Sequence, residues 1–271
     1  MSTGRKCQKS ILLLLSIITV NFNDKPGLQK TFDSVFNQTF RDFEYIVIDG
    51  GSNDGSKELI EEKSKHISFS VSEPDRGIYD AMNKGIGKAR GEYLLFLNSG
   101  DYLCDGFVLE KVFSQELKHD IIYGDIIWDT DGVKTEYVFP DTISFEYFAR
   151  HNYLPHQGTF IRRSLFTSIG PYEEDYKIIA DWVFFLLAIC KYNYSYKHIR
   201  QFISVCDRSG ISCRPERWND ILEDRKKALH HYFPAFIKDY EMLQSLKSES
   251  RSSKMKWIDL WRNRLKKLLQ K

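Results

Sequence analysis

The stretch Tyr45-Ile46-Val47-Ile48-Asp49-Gly50-Gly51-Ser52-Asn53-Asp54-Gly55 decides how this chain folds. Its first four residues are apolar or aromatic on both alternating faces, as in a strand covered on both sides. An acid and a run of turn formers end the strand, and a helix is expected from Ser56 and Lys57. The same unit recurs on either side. Upstream, the strand Ile11–Val20 runs into Asn21-Phe22-Asn23-Asp24, and Pro26 opens a helix with Leu28, Phe32, Val35 and Phe36 on one face. Downstream, the strand Ile67–Val71 precedes Glu73-Pro74-Asp75-Arg76-Gly77 and a helix over Ile78–Ala89; a fourth strand, Tyr93–Leu97, stops at Asn98-Ser99-Gly100-Asp101. Alternating apolar strands and helices predict an α/β fold: a doubly wound, mostly parallel central sheet with helices on both faces.

Sheets of this kind bind ligands beyond the carboxyl ends of their strands. Here those ends carry Asn21–Asp24, Asp49–Asp54, Asp75–Arg76 and Asn98–Asp101, a rim suited to a metal ion or a sugar. The GxGxxG turn of a dinucleotide site is absent after the first strand. The second half reads differently, with strand-like pieces at Ile121–Tyr123, Ile126–Trp128 and Lys134–Phe139, an aromatic run Phe145–Phe148, and helices over Ile179–Cys190, Trp218–His231 and the C-terminus. The expected organisation is a first half over 10–101, a second half over 102–244, and a basic amphipathic helix over 245–271, with the Ser-rich segment Ser245–Ser253 as hinge.

The chain has 271 residues, 42% hydrophobic and 14% aromatic, enough apolar material for a real core, which argues against disorder. Its net charge of +2 argues against a nucleic-acid partner. Eight Lys or Arg against one Asp give residues 251–271 a charge of +7, leaving −5 on the rest. The five cysteines are scattered without a CxxC and read as reduced thiols. Arg5, Lys6 and Lys9 before Ile11–Leu15 resemble the start of a signal peptide, but no small-residue cleavage site follows. Ile11–Val20 is also short of the ~20 residues that span a bilayer as a helix. A cytoplasmic protein is expected.

Five pieces occur in order over residues 15–215: Ser16–Asn23, Val47–Ser56, Gly77–Gly91 (GIYDAMNKGIGKARG), Tyr93–Asp101 (YLLFLNSGD) and Gly170–Asp181 (GPYEEDYKIIAD). Together they resemble the family 2 glycosyltransferases, inverting sugar transferases of the GT-A fold. The variant Glu73–Gly85 (EPDRGIYDAMNKG) looks most like bacterial enzymes that assemble exopolysaccharide or O-antigen repeat units. The resemblance implies a nucleotide-sugar donor, with a UDP-sugar first in line, bound by the half over 10–101, and a glycan or polyprenol-linked acceptor bound by the half over 102–244. It also implies Mg²⁺ or Mn²⁺, because a divalent cation neutralises the charge that builds on the leaving diphosphate.

By that resemblance Asp181 is the catalytic base, a single carboxylate opening an apolar helix; Ala180 stands where the family has another acid, and Glu173 and Glu174 are rival bases. Val20, Asn21, Asp49, Gly51 and Arg76 are expected at the nucleotide, with Asp49 accepting from the base's imide N–H; Gly50 replaces the family's second acid. Asp80 and Asn98 are expected at the donor sugar, and Asp101 and His156 at the metal, although Asn98 and Gly100 stand where the family often has acids. Each has a plainer reading: Asn98–Asp101 as a turn of four turn formers, Arg76 and Asp80 as a surface i,i+4 pair, His156 as a structural histidine, and Asp54 as a helix cap. Ser209-Gly210-Ile211-Ser212 reads either as a loop closing over the donor or as an ordinary surface loop.

From Lys256, Trp257, Ile258, Trp261, Leu265, Leu268 and Leu269 share one face of a basic helix. Residues 256–271 are open to two readings, an in-plane anchor at the inner face of an anionic membrane, or packing on the body or in a homodimer. The sequence is therefore expected to encode a metal-dependent, inverting glycosyltransferase of the hexosyltransferase type. A nucleotidyltransferase would need a Gly-rich basic loop that Asn21–Gly27 lacks. A catalytically inactive glycan- or nucleotide-binding scaffold is the rival from another class, given Gly50, Asn98, Gly100 and Ala180.

Overall fold

A computed structural model describes residues 13–208, 210 and 213–248. In chain order the first half comprises β1 (Leu15–Asn21), α1 (Lys25–Phe36), β2 (Phe43–Asp49), α2 (Ser56–Glu62), β3 (Phe69–Ser72), α3 (Ile78–Lys88) and β4 (Tyr93–Phe96). All seven residues of β1 are buried, because parallel neighbours flank it on both edges, β2 and β4, each beginning opposite Leu15. Of the expected strand Ile11–Val20, the part from Leu15 is strand and residues 13 and 14 are not; residues 11 and 12 lie outside the described residues. Side chains alternate across the sheet. Ile17 joins Leu28, Phe32 and Val35 of α1 in one core layer. Ile18 faces α3, where a Cβ on Gly85 would stand 2.5 Å from Ile18 Cγ2.

The parallel strands run in the order β3-β2-β1-β4. The chain winds outward from β1 to β3, then crosses back to place β4 on the other side of β1. This reversal is the switch point at which such sheets open a crevice beyond their strand ends.

The second half comprises β5 (Tyr102–Leu103), α4 (Val108–Phe113), β6 (Ile121–Thr130), β7 (Val133–Tyr137), α5 (Phe145–Ala149), β8 (Thr159–Arg162), α6 (Ser164–Ser168), α7 (Ala180–Leu186), β9 (Tyr196–Asp207) and α8 (Trp218–Tyr232). It extends the sheet as β4-β8-β6-β9-β5, with β8 antiparallel to both β4 and β6 and β9 parallel to β6. The two pieces expected at Ile121–Tyr123 and Ile126–Trp128 are one ten-residue strand, irregular in its pairing with β9 around Asp125. The aromatic run Phe145–Phe148 is helical, in α5. The expected helix from Ile179 continues past Leu186 as a π turn, Leu187–Lys191. Strands β8 and β9 are elements the sequence reading did not anticipate.

Residues up to Asp224 form one compact unit, and those from Arg225 a second, helical over 225–232 and 234–248. The expected basic helix over 256–271 lies outside the described residues. Among the described residues, no helix is long and apolar enough to cross a membrane.

Candidate active site

A cavity of about 590 Å³ opens at the switch point between β1 and β4. Six of the expected site residues line it: Val20, Asn21, Asn98, Asp101, His156 and Asp181. Asp49, Gly51, Arg76 and Asp80 do not.

Asp49 ends β2 fully buried. Its Oδ1 accepts from Asn21 Nδ2 (2.7 Å) and Ser52 Oγ (2.5 Å), and its Oδ2 from the Ser52 amide (2.9 Å) and Ser72 Oγ (2.5 Å). Burial pushes its pKa up, but these four donors outweigh it and hold the carboxyl below its ordinary value. All the lone pairs of Asp49 are thus spent on pinning the β2 turn to β1 and β3. Gly51 belongs to that turn, with φ +80°. Asp54 accepts from the Ser56 and Lys25 amides, joining the two loops.

Arg76 and Asp80 pair with each other (2.8 Å), and Arg76 also reaches Glu174 (3.0 Å); the Arg76 side chain is three-quarters exposed. Arg76 precedes α3 and Asp80 lies in its first turn.

The turn after β4 is closed by the Asp101 amide bonding the Asn98 carbonyl (3.0 Å), with Gly100 at φ +92°. Thr31 of α1 holds it, donating to the Asp101 carbonyl (2.7 Å) and accepting from the Gly100 amide (3.2 Å). Asp101 is buried and its Oδ1 accepts from the Asp207 amide (3.0 Å). Burial raises its pKa to about 7, against the opposing pull of His156 and that amide.

Asp181 stands in the first turn of α7. Its Oδ2 lies 3.0 Å from His156 Nδ1, and its Oδ1 accepts from the Tyr79 hydroxyl at 2.7 Å. Burial again raises the pKa, and the His156 and Tyr79 contacts more than reverse it, so Asp181 stays ionised. An ionised carboxylate is acceptor-only, so His156 Nδ1 donates. His156 Nε2 lies 3.2 Å from Asn98 Nδ2. The structure thus engages both ring nitrogens of His156, one with Asp181 and one with Asn98.

The donor set around Gly100 suits a hard divalent cation. A Cβ built there would lie 3.4 Å from Asp207 Oδ2 and 3.6 Å from Asp24 Oδ2, beside Asp101. Among the described residues no three His, Cys, Asp or Glu side chains are close enough to hold an ion alone. A cation fits if diphosphate oxygens and water complete its shell.

Several lining residues escaped the sequence reading. Phe22, directly after β1, is 66% exposed in the cavity wall, and an aromatic side chain in a polar strand-end loop was the available signal. Tyr79 lay inside a helix pattern, and Lys177 and Arg214, two cations of the lining, lay in loops. Asp207 gave no signal, because the strand it ends was itself missed.

Residues 16–171, more than half of the chain, match glycosyl transferase family 2, and the chain belongs to that family. It is 34% identical over 178 residues to the PGL/p-HBAD biosynthesis glycosyltransferase of Mycobacterium bovis, covering 63% of this chain and 68% of that protein. It is 37% identical over 181 residues to an uncharacterised glycosyltransferase of Mycobacterium tuberculosis, covering 64% and 68%. Among solved structures it is similar in fold to S. aureus TarS 1–349 in complex with UDP, with TM-score 0.63 and 17% identity over 80% of this chain; the match spans 65% of that chain. It is also similar to the mannosyltransferase PcManGT of Pyrobaculum calidifontis in complex with GDP-Man and Mn²⁺, with TM-score 0.55 and 15% identity, covering 83% and 64%.

Proposed function

We propose that the chain is an inverting, metal-dependent glycosyltransferase that moves a sugar from a nucleotide-diphosphate donor, a UDP-sugar by preference, to a glycan or polyprenol-linked acceptor in bacterial surface polysaccharide or glycolipid synthesis. The observation that carries this reading is Asp181, an ionised, hydrogen-bonded carboxylate in the same cavity as the Asn98–Asp101 turn. Asp181 accepts the proton of the acceptor hydroxyl as that oxygen attacks the anomeric carbon from the face opposite the departing diphosphate. His156 and Tyr79 orient the carboxylate; His156, engaged at both nitrogens, is assigned to Asp181 in preference to the metal. Asp101 would hold Mg²⁺ or Mn²⁺, which when bound supplies positive charge to the diphosphate. Lys177 and Arg214 of the lining add side-chain charge for the same group. The likeness to a PGL/p-HBAD biosynthesis glycosyltransferase supports the transferase reading, and we place the enzyme in the cytoplasm, at the membrane surface when its acceptor is polyprenol-linked.

Calorimetric titration of UDP, GDP and dTDP, with Mn²⁺ and again with EDTA, tests this reading. Metal-dependent binding of one nucleotide is expected, and no binding of any would point to the inactive scaffold. Asp101→Ala is expected to lose both activity and the response to Mn²⁺.

A further inference from the structure

Gly50 leaves a gap in the cavity wall whose borders are chemically specific. A Cβ at this position would meet Asp75 Oδ2 and Phe22 Cδ2, each at 3.1 Å. Gly50 is not among the glycines with a left-handed backbone, so what its missing side chain provides is space. On one side stands Phe22, exposed and aromatic. On the other stands Asp75 of the β3–α3 loop, whose Oδ1 accepts from Lys84 Nζ. No donor among the described residues reaches its Oδ2. Both residues line the cavity, as does Gly50 itself. Asp49, the nearest other acid along the chain, has no lone pair left to offer.

We infer that Asp75 reads the base of the nucleotide donor: its Oδ2 accepts the imide N–H of a uracil or thymine ring that packs its face on Phe22 and its edge into the gap at Gly50. A flat aromatic wall beside a single open acceptor suits a planar ring presenting a single N–H. Cytosine presents a ring acceptor where the imide has its N–H, and a carboxylate repels it. Asp75 therefore acts as a specificity residue, held in orientation by Lys84.

This inference rests on the nucleotide-donor reading above, and titration of UDP and CDP with Mn²⁺ separates the two. Wild-type protein is expected to prefer UDP by about tenfold or more, the factor for one charge-assisted hydrogen bond. Lys84 also pairs with Glu73 (2.9 Å), and in Asp75→Asn an NH₂ cannot face that ammonium, so the amide oxygen stays towards Lys84 and the NH₂ turns to the base. UDP should then weaken by about tenfold and the preference should shift towards CDP. An Asp75→Asn variant with wild-type affinity and wild-type UDP:CDP ratio would overturn the inference while leaving the transferase reading intact. Wild-type protein that binds neither nucleotide would remove both. The variant Gly50→Asp/Asp75→Ala guards against an effect on folding alone. It returns a carboxylate to the same gap from the other side, and the exposed Phe22 ring can yield to it. Restored preference for UDP supports base reading, and failure to restore it in a protein with the wild-type melting temperature counts against it.

Discussion

At the scale of single residues, the site depends on how each carboxylate is solvated. Asp49 and Asp101 are buried and Asp181 is half-buried, and the three differ in what donates to them. Asp181 keeps its charge through His156 and Tyr79, which is what a base that must be ionised requires. Asp181→Asn is expected to lower kcat by about 10²–10⁴ while nucleotide affinity is retained, measured by transfer assay and calorimetry on the same preparation. Lost affinity would make Asp181 structural. His156→Ala removes a contact that lowers the Asp181 pKa, so that pKa rises. On the proposed role of Asp181 as base the ionised form is the active one, and the acid limb of the kcat/KM–pH profile should move to higher pH. A histidine that only supports the fold would lower the melting temperature and leave that limb in place.

At the scale of elements, α3 shows how closely a helix must approach the sheet to position Tyr79 beside Asp181. Gly85 lies against Ile18 of β1, while Gly87, one half-turn on, faces open space. Gly85→Ala drives a methyl into Ile18 and should cost about 1–3 kcal/mol. Gly87→Ala meets nothing and should stabilise by about 0.5–1 kcal/mol, since alanine is the better helix former. Urea midpoints with unchanged slope will show the two shifts and their opposite signs. The Asn98–Asp101 turn depends likewise on a neighbouring element, through Thr31 of α1. Its Asn-Ser-Gly-Asp composition reads as a turn in any protein; its place opposite α7 makes it part of a cavity.

At the scale of the whole molecule, buried carboxylates set the response to acid. Glu44, held by Ser16 and Arg90, and Asp49 both have folded pKa values below their ordinary 4.5 and 3.8, with hydrogen bonds overcoming the burial that would raise them. A depressed pKa contributes stability that is present above the unfolded value and lost as pH falls through the folded one. Asp101, raised to about 7, has the opposite sign: its contribution is complete below 3.8 and fades as pH rises through about 7. Below about pH 4 only the depressed groups still change, so the urea midpoint should fall steadily from about pH 4 to about pH 2. A flat midpoint over that range would mean these networks do not form.

The sequence by itself determined the parallel half of the sheet, because Ile17 and Ile18, or Val47 and Ile48, are apolar on both faces and only a covered central strand suits them. It also determined that polar side chains gather where apolar runs stop or start, and Asn21, Asn98, Asp101 and Asp181 among them line one cavity. Strand β9 was not legible, because Lys197, His198, Arg200 and Gln201 break its apolar pattern and pairing with β6 holds it in place. Only the tertiary structure decided which acids face the cavity. Asp49 and Asp75 are both loop acids next to turn formers in the sequence; in the fold, four donors saturate the first and Lys84 leaves one oxygen of the second open. Two of the four donors to Asp49, on Asn21 and Ser72, lie 28 and 23 residues away in the chain. Local composition carries the propensity to form a strand or a turn, whereas the direction and charge of a carboxylate depend on groups that only folding brings within hydrogen-bond reach.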